Sequence, residues 1–434
     1  MLRALADCNN FFASCERALN PALIGVPIVV LSNNDGCVIA RSSEAKLLGI
    51  PMGAPFFQVR RVCEAHSVKV FSSNFSVYGD FSERVMEVLA KQARDFESYS
   101  IDEAFLGFPD MPEADARALG HRIRNDVLST TGISVSIGMG ATKVLCKLAN
   151  ERAKSDAESG GVIVVPSSSA GREEFLKGVK TRDIWGVGKG LATRLRGHGI
   201  LSAQDLAEAD PAFIRRLAGV VGERIALELR GIPCHEIIEN AEARKSIMVS
   251  RSFGRPVSDF IDLSEAIATH AVRAAEKLRQ ENLATSTVTV FFGTNRFQKE
   301  AEQYGTSETE EIDFLTDDLG VIGAMAQRAL KRVFKEGYFY KKAGVILTEL
   351  SSKDVVQETL PGLGTAVPSS RHRLMKAVDT INAKLGKEMV RPASTGFERK
   401  WKSKSEQLSE NSQTKEKVLP KTNGVPKRRI RFHE

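Results

Sequence analysis

Apolar residues recur along the first 140 positions with two different periods, and the change of period separates strands from helices. Short apolar runs of strand length occur at Leu2 to Ala6, on both sides of the stretch from Ser100 to Glu103, and at Ser134 to Gly138. From Glu113 to Leu128 apolar residues return every three or four positions, which is typical of a helix. The order of strand, helix, strand, strand, helix and strand predicts a ferredoxin-like sheet with helices on one face.

A smaller unit interrupts this first sheet between residues 17 and 76. Pro27 to Leu31 and Cys37 to Ala40 flank Asn33-Asn34-Asp35-Gly36, and an Asp-Gly pair between two apolar runs predicts a β-hairpin. After the insertion, the pattern from Asp80 to Glu83 resembles the capping box at the start of a helix. We therefore expect the main sheet to resume with a helix that begins near Asp80.

The second half of the chain changes character three times. Residues 167–232 form short helical segments separated by glycine turns, and residues 233–245 lack periodicity, which predicts a tether. From residue 246 to residue 352 the order of strand, helix, strand, strand, helix and strand returns, which predicts a second ferredoxin-like domain. Residues 353–434 lose this periodicity, and we expect a largely disordered basic tail that serves partner binding. The predicted fold class is therefore α+β, with several domains.

Composition and charge limit the classes of function. The chain has 434 residues, of which 42% are hydrophobic and 26% charged, as in a globular protein of several domains. No apolar run is long enough to cross a bilayer, and six cysteines without a C-x-x-C pair indicate reduced thiols, so we expect a cytoplasmic protein without membrane contact. The net charge of +7 suggests a polyanionic partner, but the segment from Glu398 onward holds eleven Lys or Arg against five Glu. The folded part must therefore bind nucleic acid through local patches.

The stretch from Ser100 to Phe105 places two adjacent carboxylates, Asp102 and Glu103, in a tight turn between two predicted strands. Carboxylates this close repel each other unless a cation lies between them, and divalent cations prefer oxygen ligands. Asp7 ends the first strand and can supply a third carboxylate, because the first strand and the acidic turn are neighbours in a ferredoxin-like sheet. The sequence therefore predicts a metal site at Asp7, Asp102 and Glu103, with solvated turn residues as the alternative.

Three further groups of residues have the chemistry to bind phosphate. Arg41 and Lys46, on the inserted unit, are cationic phosphate contacts or solvated surface charges. The glycines from Gly138 to Lys143 precede a helix with a lysine in its first turn, and this arrangement suits an anion. Gly186-Val187-Gly188-Lys189 opens a helix, and such a turn lets the backbone approach a nucleic-acid phosphate, although helix caps have the same composition. In the second domain, Arg251 and Arg255 can contact DNA or simply keep the domain soluble.

Four stretches of the chain are similar, in order and spacing, to motifs of the Y-family translesion DNA polymerases. They are Ala6 to Glu16, Leu31 to Arg41, Ser100 to Phe105 and Gly186 to Lys189, and the second points to the UmuC branch. The resemblance extends from about residue 2 to about residue 360. It implies an error-prone, DNA-directed DNA polymerase that performs translesion synthesis in the SOS DNA damage response. The implied chemistry is two-metal nucleotidyl transfer from a dNTP to a primer 3′-hydroxyl.

The resemblance also implies a right-hand polymerase architecture. Its ferredoxin-like palm would comprise residues 1–16 and 77–166, with small inserted fingers at residues 17–76. A helix-hairpin-helix thumb would follow at residues 167–232, and the ferredoxin-like little finger at residues 246–352 would grip the duplex.

By position, the resemblance implies a role for each site residue. Asp7, Asp102 and Glu103 would bind two Mg²⁺ ions with the Cys8 carbonyl as a further ligand, and Phe12 would be the steric gate that excludes a 2′-hydroxyl. At Ser43 the chain departs from the phosphate-binding Tyr of many members, so this contact passes to Arg41. The residues implied to contact nucleotide or DNA are Phe11, Phe12, Arg41, Lys46, Lys143, Gly186, Gly188, Lys189, Arg251 and Arg255.

The partners implied by the resemblance are primed damaged DNA, a dNTP, a processed UmuD-type dimer, RecA and a sliding clamp. A clamp-binding peptide would include Gln357 and Leu360, but Pro361 replaces the usual terminal Phe, so this contact is left open. Two other functions are also left open, a nucleotide cyclase on a related palm and a non-catalytic DNA-binding paralogue. The glycine turns and the second ferredoxin-like unit argue against the cyclase, and the presence of all three carboxylates argues against the paralogue.

Overall fold

The computed structural model describes the chain in five stretches, residues 1–238, 244–298, 300–353, 369–386 and 388–409. The chain forms two compact units: unit 1 contains Met1–Ser32, Gly36–Ala241 and Gln407–Glu434, and unit 2 contains Asn33–Asp35 and Glu242–Glu406. Within the described stretches, no helix has both the length and the apolar character that a membrane span requires.

Unit 1 holds two sheets and ten α-helices among its described residues. In chain order its elements are β1 (Leu2–Cys8), α1 (Phe11–Leu19), β2 (Ile28–Leu31), β3 (Val38–Arg41), α2 (Ser43–Leu47), α3 (Phe56–Ala65), β4 (Lys69–Ser72), α4 (Phe75–Gln92), β5 (Asp95–Ser98), β6 (Glu103–Phe108), α5 (Glu113–Thr131), β7 (Val135–Gly140), α6 (Lys143–Ser155), β8 (Val162–Val164), α7 (Ser169–Leu176), α8 (Lys189–Arg196), α9 (Ala203–Glu208) and α10 (Pro211–Leu229).

The main sheet of unit 1 has the strand order β5-β6-β1-β7-β8, with β1 antiparallel to both β6 and β7. Its first four strands have the ferredoxin-like order, so the predicted fold is confirmed. Alternate residues of β1 face opposite sides of the sheet: Ala4 and Ala6 join the core beneath α4 and α5, whereas Leu5 contacts Phe105 and Cys146 on the side of α6. The helices α4 and α5 thus cover one face, and α6 covers part of the other.

The inserted hairpin is confirmed, because β2 and β3 pair antiparallel. A third strand, β4, pairs parallel with β2 and was not predicted. The helix expected near Asp80 begins at Phe75 instead, where the Asn74 side chain caps it by accepting from the Val77 N–H. The prediction that a helix begins with a capping box at Asp80 to Glu83 is therefore wrong, because these residues lie inside α4.

The glycine-rich turn before α6 also differs from the prediction. Gly138 and Gly140 belong to β7, and a Cβ on Gly138 would lie 2.2 Å from backbone atoms of Cys146 and Asn150. Gly138 therefore permits α6 to approach the sheet closely, and it does not form an anion-binding loop.

Unit 2 repeats the predicted order of strands and helices. Its elements are β9 (Ile247–Val257), α11 (Phe260–Gln280), β10 (Leu283–Thr294), β11 (Gly305–Thr316), α12 (Leu319–Val333), β12 (Tyr340–Ser352) and α13 (Ser369–Leu385). The antiparallel sheet has the order β11-β10-β12-β9, and side chains of α11 and α12 complete its core. The six predicted strands and helices between residues 246 and 352 are confirmed.

The prediction of a largely disordered tail is wrong for the described residues after 353. Asp379 of α13 forms a two-pronged ion pair with Arg279 at 2.7 Å, and Glu388 accepts hydrogen bonds from both Arg273 and Arg399. Trp401 is only 5% exposed and belongs to the core of unit 2. These ion pairs and the buried Trp401 side chain hold the segment in place although its composition is polar. The predicted clamp peptide with Gln357 and Leu360, and the last 25 residues, lie outside the described residues.

Candidate active site

The three predicted carboxylates come together at one end of the main sheet. Asp7 on β1 is the cross-strand partner of Glu103, the first residue of β6, and Asp102 precedes it. The Cys8 N–H donates to the Asp102 carbonyl at 2.8 Å, which fixes the acidic turn against β1. Directly paired residues of antiparallel strands have Cα atoms about 4.5 to 5.5 Å apart. The strand register thus gathers residues that are far apart in the sequence.

Each carboxylate already has a partner. Lys154 of α6 donates to Asp7 at 3.0 Å, Lys147 of the same helix donates to Glu103 at 2.6 Å, and the Ser100 hydroxyl donates to Asp102 at 2.6 Å. With the side chains in these pairs, no group of three His, Cys, Asp or Glu residues in the described stretches is arranged to hold a metal ion. The ammonium groups of Lys147 and Lys154 thus balance part of the negative charge of the three carboxylates.

The chemistry of the donor set fits a divalent cation. The pKa of Asp7 is raised to about 7, chiefly by burial; the Lys154 ammonium opposes this rise, and the Asp102 and Glu103 charges add to it. A bound cation would lower the pKa of Asp7 again, because it stabilises the ionised carboxylate. The Cys8 side chain is buried in the core, which leaves only its backbone carbonyl as a possible ligand. Carboxylate and carbonyl oxygens are the ligands that Mg²⁺ prefers.

A polar cavity of about 510 Å³ opens beside Asp7. Lys46 and Lys154 line it, and Asn10 at its edge donates to the Ser43 hydroxyl at 3.2 Å. Burial and the charges of Arg41 and Lys154 lower the pKa of Lys46, so these cations lie close enough to repel each other. A polyanion in the cavity would remove that repulsion.

Two of the predicted nucleotide contacts are placed differently. Lys143 does not line this cavity, because its ammonium donates to Glu97 at 2.5 Å and lies over the Phe105 ring. In this arrangement the Lys143 ammonium does not face the cavity. Arg41 donates to the Ile50 carbonyl at 2.5 Å, and it influences the cavity through its charge on Lys46.

Phe11 and Phe12, the first two residues of α1, have different surroundings. Phe11 is buried in the core. Phe12 is half-buried, with its ring stacked on Tyr78 at 4.5 Å and edge-on to Phe75 at 5.7 Å. The Tyr78 hydroxyl donates to Glu16 at 2.7 Å, which holds the stack in place. The Phe12 ring is thus held in place by its aromatic neighbours.

The predicted DNA-binding glycines lie at the start of α8. Gly186 has a φ of +87°, and a Cβ there would lie 2.9 Å from the Ile225 side chain, so both conformation and space require glycine. Gly188 is the N-cap of α8 and has no capping side chain, which leaves the first N–H groups of the helix open to an anion. A Cβ at Gly188 would touch nothing, so this side of the turn is open.

The two predicted DNA-binding arginines of unit 2 lie on its edge strand β9. Arg251 lies between Val249 and Phe253 at a spacing of two residues, so its side chain is on the same face of the sheet as these core residues, the face that the helices cover. Arg255 lies 3.5 Å from Asp262 of α11. Both side chains are exposed, and β9 is at the edge of the sheet.

Sequence reasoning missed Lys147 and Lys154, the two lysines that contact the carboxylates. Their spacing from Lys143, four and eleven residues, marks one face of a helix, and this periodicity was the available signal. The periodicity alone does not assign these lysines to the site, because no sequence pattern says which face of α6 meets the sheet.

Comparison with known proteins is consistent with this geometry. Residues 6–151 match the impB/mucB/samB family, residues 244–360 match the C-terminal domain of that family, and residues 372–421 match a domain of unknown function, DUF4113. The chain is 39% identical to Protein ImpB of Salmonella typhimurium over 96% of this chain and 98% of the relative. It is also 39% identical to Protein UmuC of Salmonella typhimurium strain LT2, over 94% of this chain and 96% of the relative.

Among solved structures, the chain resembles a Y-family DNA polymerase chimera of Dbh and Dpo4, with a TM-score of 0.63. The sequence identity is 22%, and the alignment covers 81% of this chain and all of the chimera. This likeness shows the fold, which is that of the Y-family DNA polymerases.

Proposed function

Because the chain belongs to the impB/mucB/samB family, together with UmuC and ImpB, we propose that it is an error-prone DNA polymerase that performs translesion synthesis in the SOS DNA damage response. The observation that carries the proposal is the register of β1 and β6, which gathers Asp7, Asp102 and Glu103 beside a cavity lined by lysines. Template-directed nucleotidyl transfer requires both features, carboxylates for metal ions and cations for a triphosphate.

Asp7, Asp102 and Glu103 would hold two Mg²⁺ ions, with the Cys8 carbonyl as a further ligand. When bound, such ions lower the pKa of the primer 3′-hydroxyl and neutralise the departing pyrophosphate. The residues themselves orient the reacting groups: Asp7 lies between the cavity and the acidic turn, and it can therefore serve both the triphosphate side and the primer side.

The nucleotide would bind in the cavity beside Asp7. Lys154 and Lys46 would donate to its triphosphate, and Arg41 would add long-range positive charge. Lys154 replaces Lys143 in this role, because its ammonium and not that of Lys143 faces Asp7. Phe12 would stack beneath the sugar and exclude a 2′-hydroxyl. The stacked Tyr78 ring supports this role, because it holds the Phe12 ring in one position.

The DNA duplex would contact both units. The open N–H groups after Gly188 and the Lys189 side chain would bind backbone phosphates without reading the base sequence. Arg251 and Arg255 would add phosphate contacts at the edge of the unit 2 sheet. Since these contacts are all to the backbone, they tolerate damaged bases.

The family also suggests partners. We propose that a processed UmuD-type dimer and RecA act with the chain, and that a sliding clamp binds the peptide with Gln357 and Leu360. Adding each partner separately to a primer-extension reaction tests this, because a true partner increases the yield or length of the products. A clamp that acts equally on the Leu360→Ala variant would exclude this peptide.

Primer extension on a primed template with Mg²⁺ tests the proposed activity, with and without the partner proteins. Wild type should extend the primer and pass a lesion, and Asp102→Ala should lose most of this activity, because it removes a metal ligand. Asp95→Asn is the matched control, since Asp95 lies on β5 of the same sheet, opposite Gly107 and away from the acidic turn. Equal extension by wild type and Asp102→Ala would exclude the site, and DNA binding without any extension would favour the non-catalytic paralogue.

A further inference from the structure

Lys147 lies in a cup of three aromatic rings directly behind the acidic turn. Its ammonium is 4.8 Å from the centre of the Tyr99 ring, 5.7 Å from that of Trp185 and 5.9 Å from that of Phe105. The three rings contact each other, with centroids 5.5 to 6.3 Å apart. The electron-rich ring faces stabilise the ammonium in a place that water reaches poorly.

The ammonium in this cup holds one carboxylate of the candidate site. Lys147 donates to Oε2 of Glu103 at 2.6 Å, and the two side chains are 15% and 14% exposed. A pair this well buried loses most of the gain in stability to desolvation, so stability alone does not explain it. The bond uses one carboxylate oxygen, Oε2, so Oε1 is available for a further ligand.

We infer that Lys147 is a positioning residue, which fixes the orientation of Glu103 for metal binding while the aromatic cup fixes Lys147. The inference rests on the proposed polymerase function and deepens it. The ammonium repels a neighbouring cation, so it lowers the affinity of the site for metal and in return holds Glu103 in one geometry. Misplacing a reacting group by about 1 Å can cost about a hundredfold in rate.

One wall of the cup comes from the helical segment that follows the sheet. Trp185 directly precedes Gly186, the first glycine of the turn proposed to bind DNA phosphate, whereas Tyr99 and Phe105 flank the acidic turn. Trp185 also contacts His235, whose backbone N–H donates to the buried carboxylate of Glu228. The position of Lys147 therefore depends on how this segment lies against the sheet.

Lys143 provides a matched control. It lies one turn earlier on α6, is 5% exposed, contacts the same Phe105 ring and pairs with a carboxylate, but its partner Glu97 is not a candidate metal ligand. Lys143→Met and Lys147→Met therefore remove the same kind of buried pair. They differ in whether the carboxylate left behind belongs to the site.

The test combines insertion kinetics of the full chain with Mn²⁺ binding measured by electron paramagnetic resonance. Lys147→Met should lower kcat by at least about tenfold and leave the dNTP KM within about twofold, while Mn²⁺ binds as tightly as to wild type or more tightly. Lys147→Arg should restore most of kcat, because it returns a cation to the cup. Lys143→Met should change neither kcat nor Mn²⁺ affinity by more than about twofold.

The inference is overturned if Lys147→Met and Lys143→Met behave alike, or if Lys147→Met weakens Mn²⁺ binding in step with kcat. Should Lys147→Met not fold, Trp185→Leu replaces it: a lower kcat at unchanged Mn²⁺ affinity supports the role, and an unchanged kcat overturns it. If the proposed function itself is wrong, a different result is expected: Asp102→Ala would bind Mn²⁺ as tightly as wild type does, because Asp102 would not be a metal ligand.

Discussion

Replacing Lys154 by Met removes the cation that lies between Asp7 and the polar cavity. The wild-type ammonium donates to Asp7 at 3.0 Å and lines the cavity, so it is placed to exchange this bond for one to a triphosphate oxygen. A hydrogen bond to a charged group contributes about 1.5 to 3 kcal/mol, which corresponds to roughly a 10- to 150-fold change in affinity. We therefore expect the dNTP KM of Lys154→Met to rise by roughly that factor.

Single-nucleotide insertion kinetics measures this effect, with Lys143→Met as the control. Lys143 lies on the same helix and forms a similar ion pair, but it does not line the cavity. Its variant should keep the wild-type dNTP KM within about twofold, since it removes no cation from the cavity. An unchanged KM for Lys154→Met, or equal increases in both variants, would refute the assignment of Lys154.

Two other predictions concern the sugar gate and the pH dependence of stability. Phe12→Ala removes the ring that is stacked on Tyr78 at 4.5 Å, so ribonucleotide incorporation in competition assays should increase. Unchanged sugar selectivity would contradict the role of Phe12 as the steric gate. His270 is buried in unit 2 with neither ring nitrogen hydrogen-bonded, and burial together with the charges of Arg273, Arg251 and Arg399 lowers its pKa from 6.5 to about 3. The unfolded chain binds this proton below pH 6.5 and the folded chain does not, so stability is full above pH 6.5 and falls as the pH approaches 3. The loss should reach about 2 kcal/mol at pH 5 in urea unfolding, and His270→Phe should abolish it; an equal pH slope in both proteins would contradict this.

The sequence was sufficient to locate the carboxylates because strand periodicity and turn chemistry are local signals. Asp7 ends an apolar run, and Asp102 and Glu103 interrupt two others, so a ferredoxin-like order of elements already makes them neighbours. Both strands are buried almost throughout, so the register that pairs Asp7 with Glu103 depends on tertiary packing and not on a hydrophobic alternation.

The lysines could not be assigned in the same way. Lys143, Lys147 and Lys154 share a helix face, but their partners depend on the angle at which α6 crosses the sheet. That angle depends on Gly138, which permits a contact that no local pattern predicts. The local pattern therefore pointed to Lys143, whereas it is Lys154 that contacts Asp7.

The errors in element boundaries have similar causes. Asn74 caps α4 through its side chain, but Asp80 to Glu83 offers a competing capping pattern six residues later. Trp401 lies in a polar segment whose composition suggests disorder, although one large aromatic side chain and the ion pairs around Glu388 are enough to hold it against unit 2. Average composition conceals such single anchoring residues.

The most direct test of the central claim is a crystal structure with Mn²⁺, a primed template and an incoming dNTP, with the anomalous signal used to locate the metal. The account predicts manganese peaks bound by Asp7, Asp102 and Glu103, with Lys154 moved from Asp7 to the triphosphate and Lys147 still bonded to Glu103. A ternary complex in which the triphosphate is bound, no manganese contacts these carboxylates and the Lys154 to Asp7 pair is intact would contradict it.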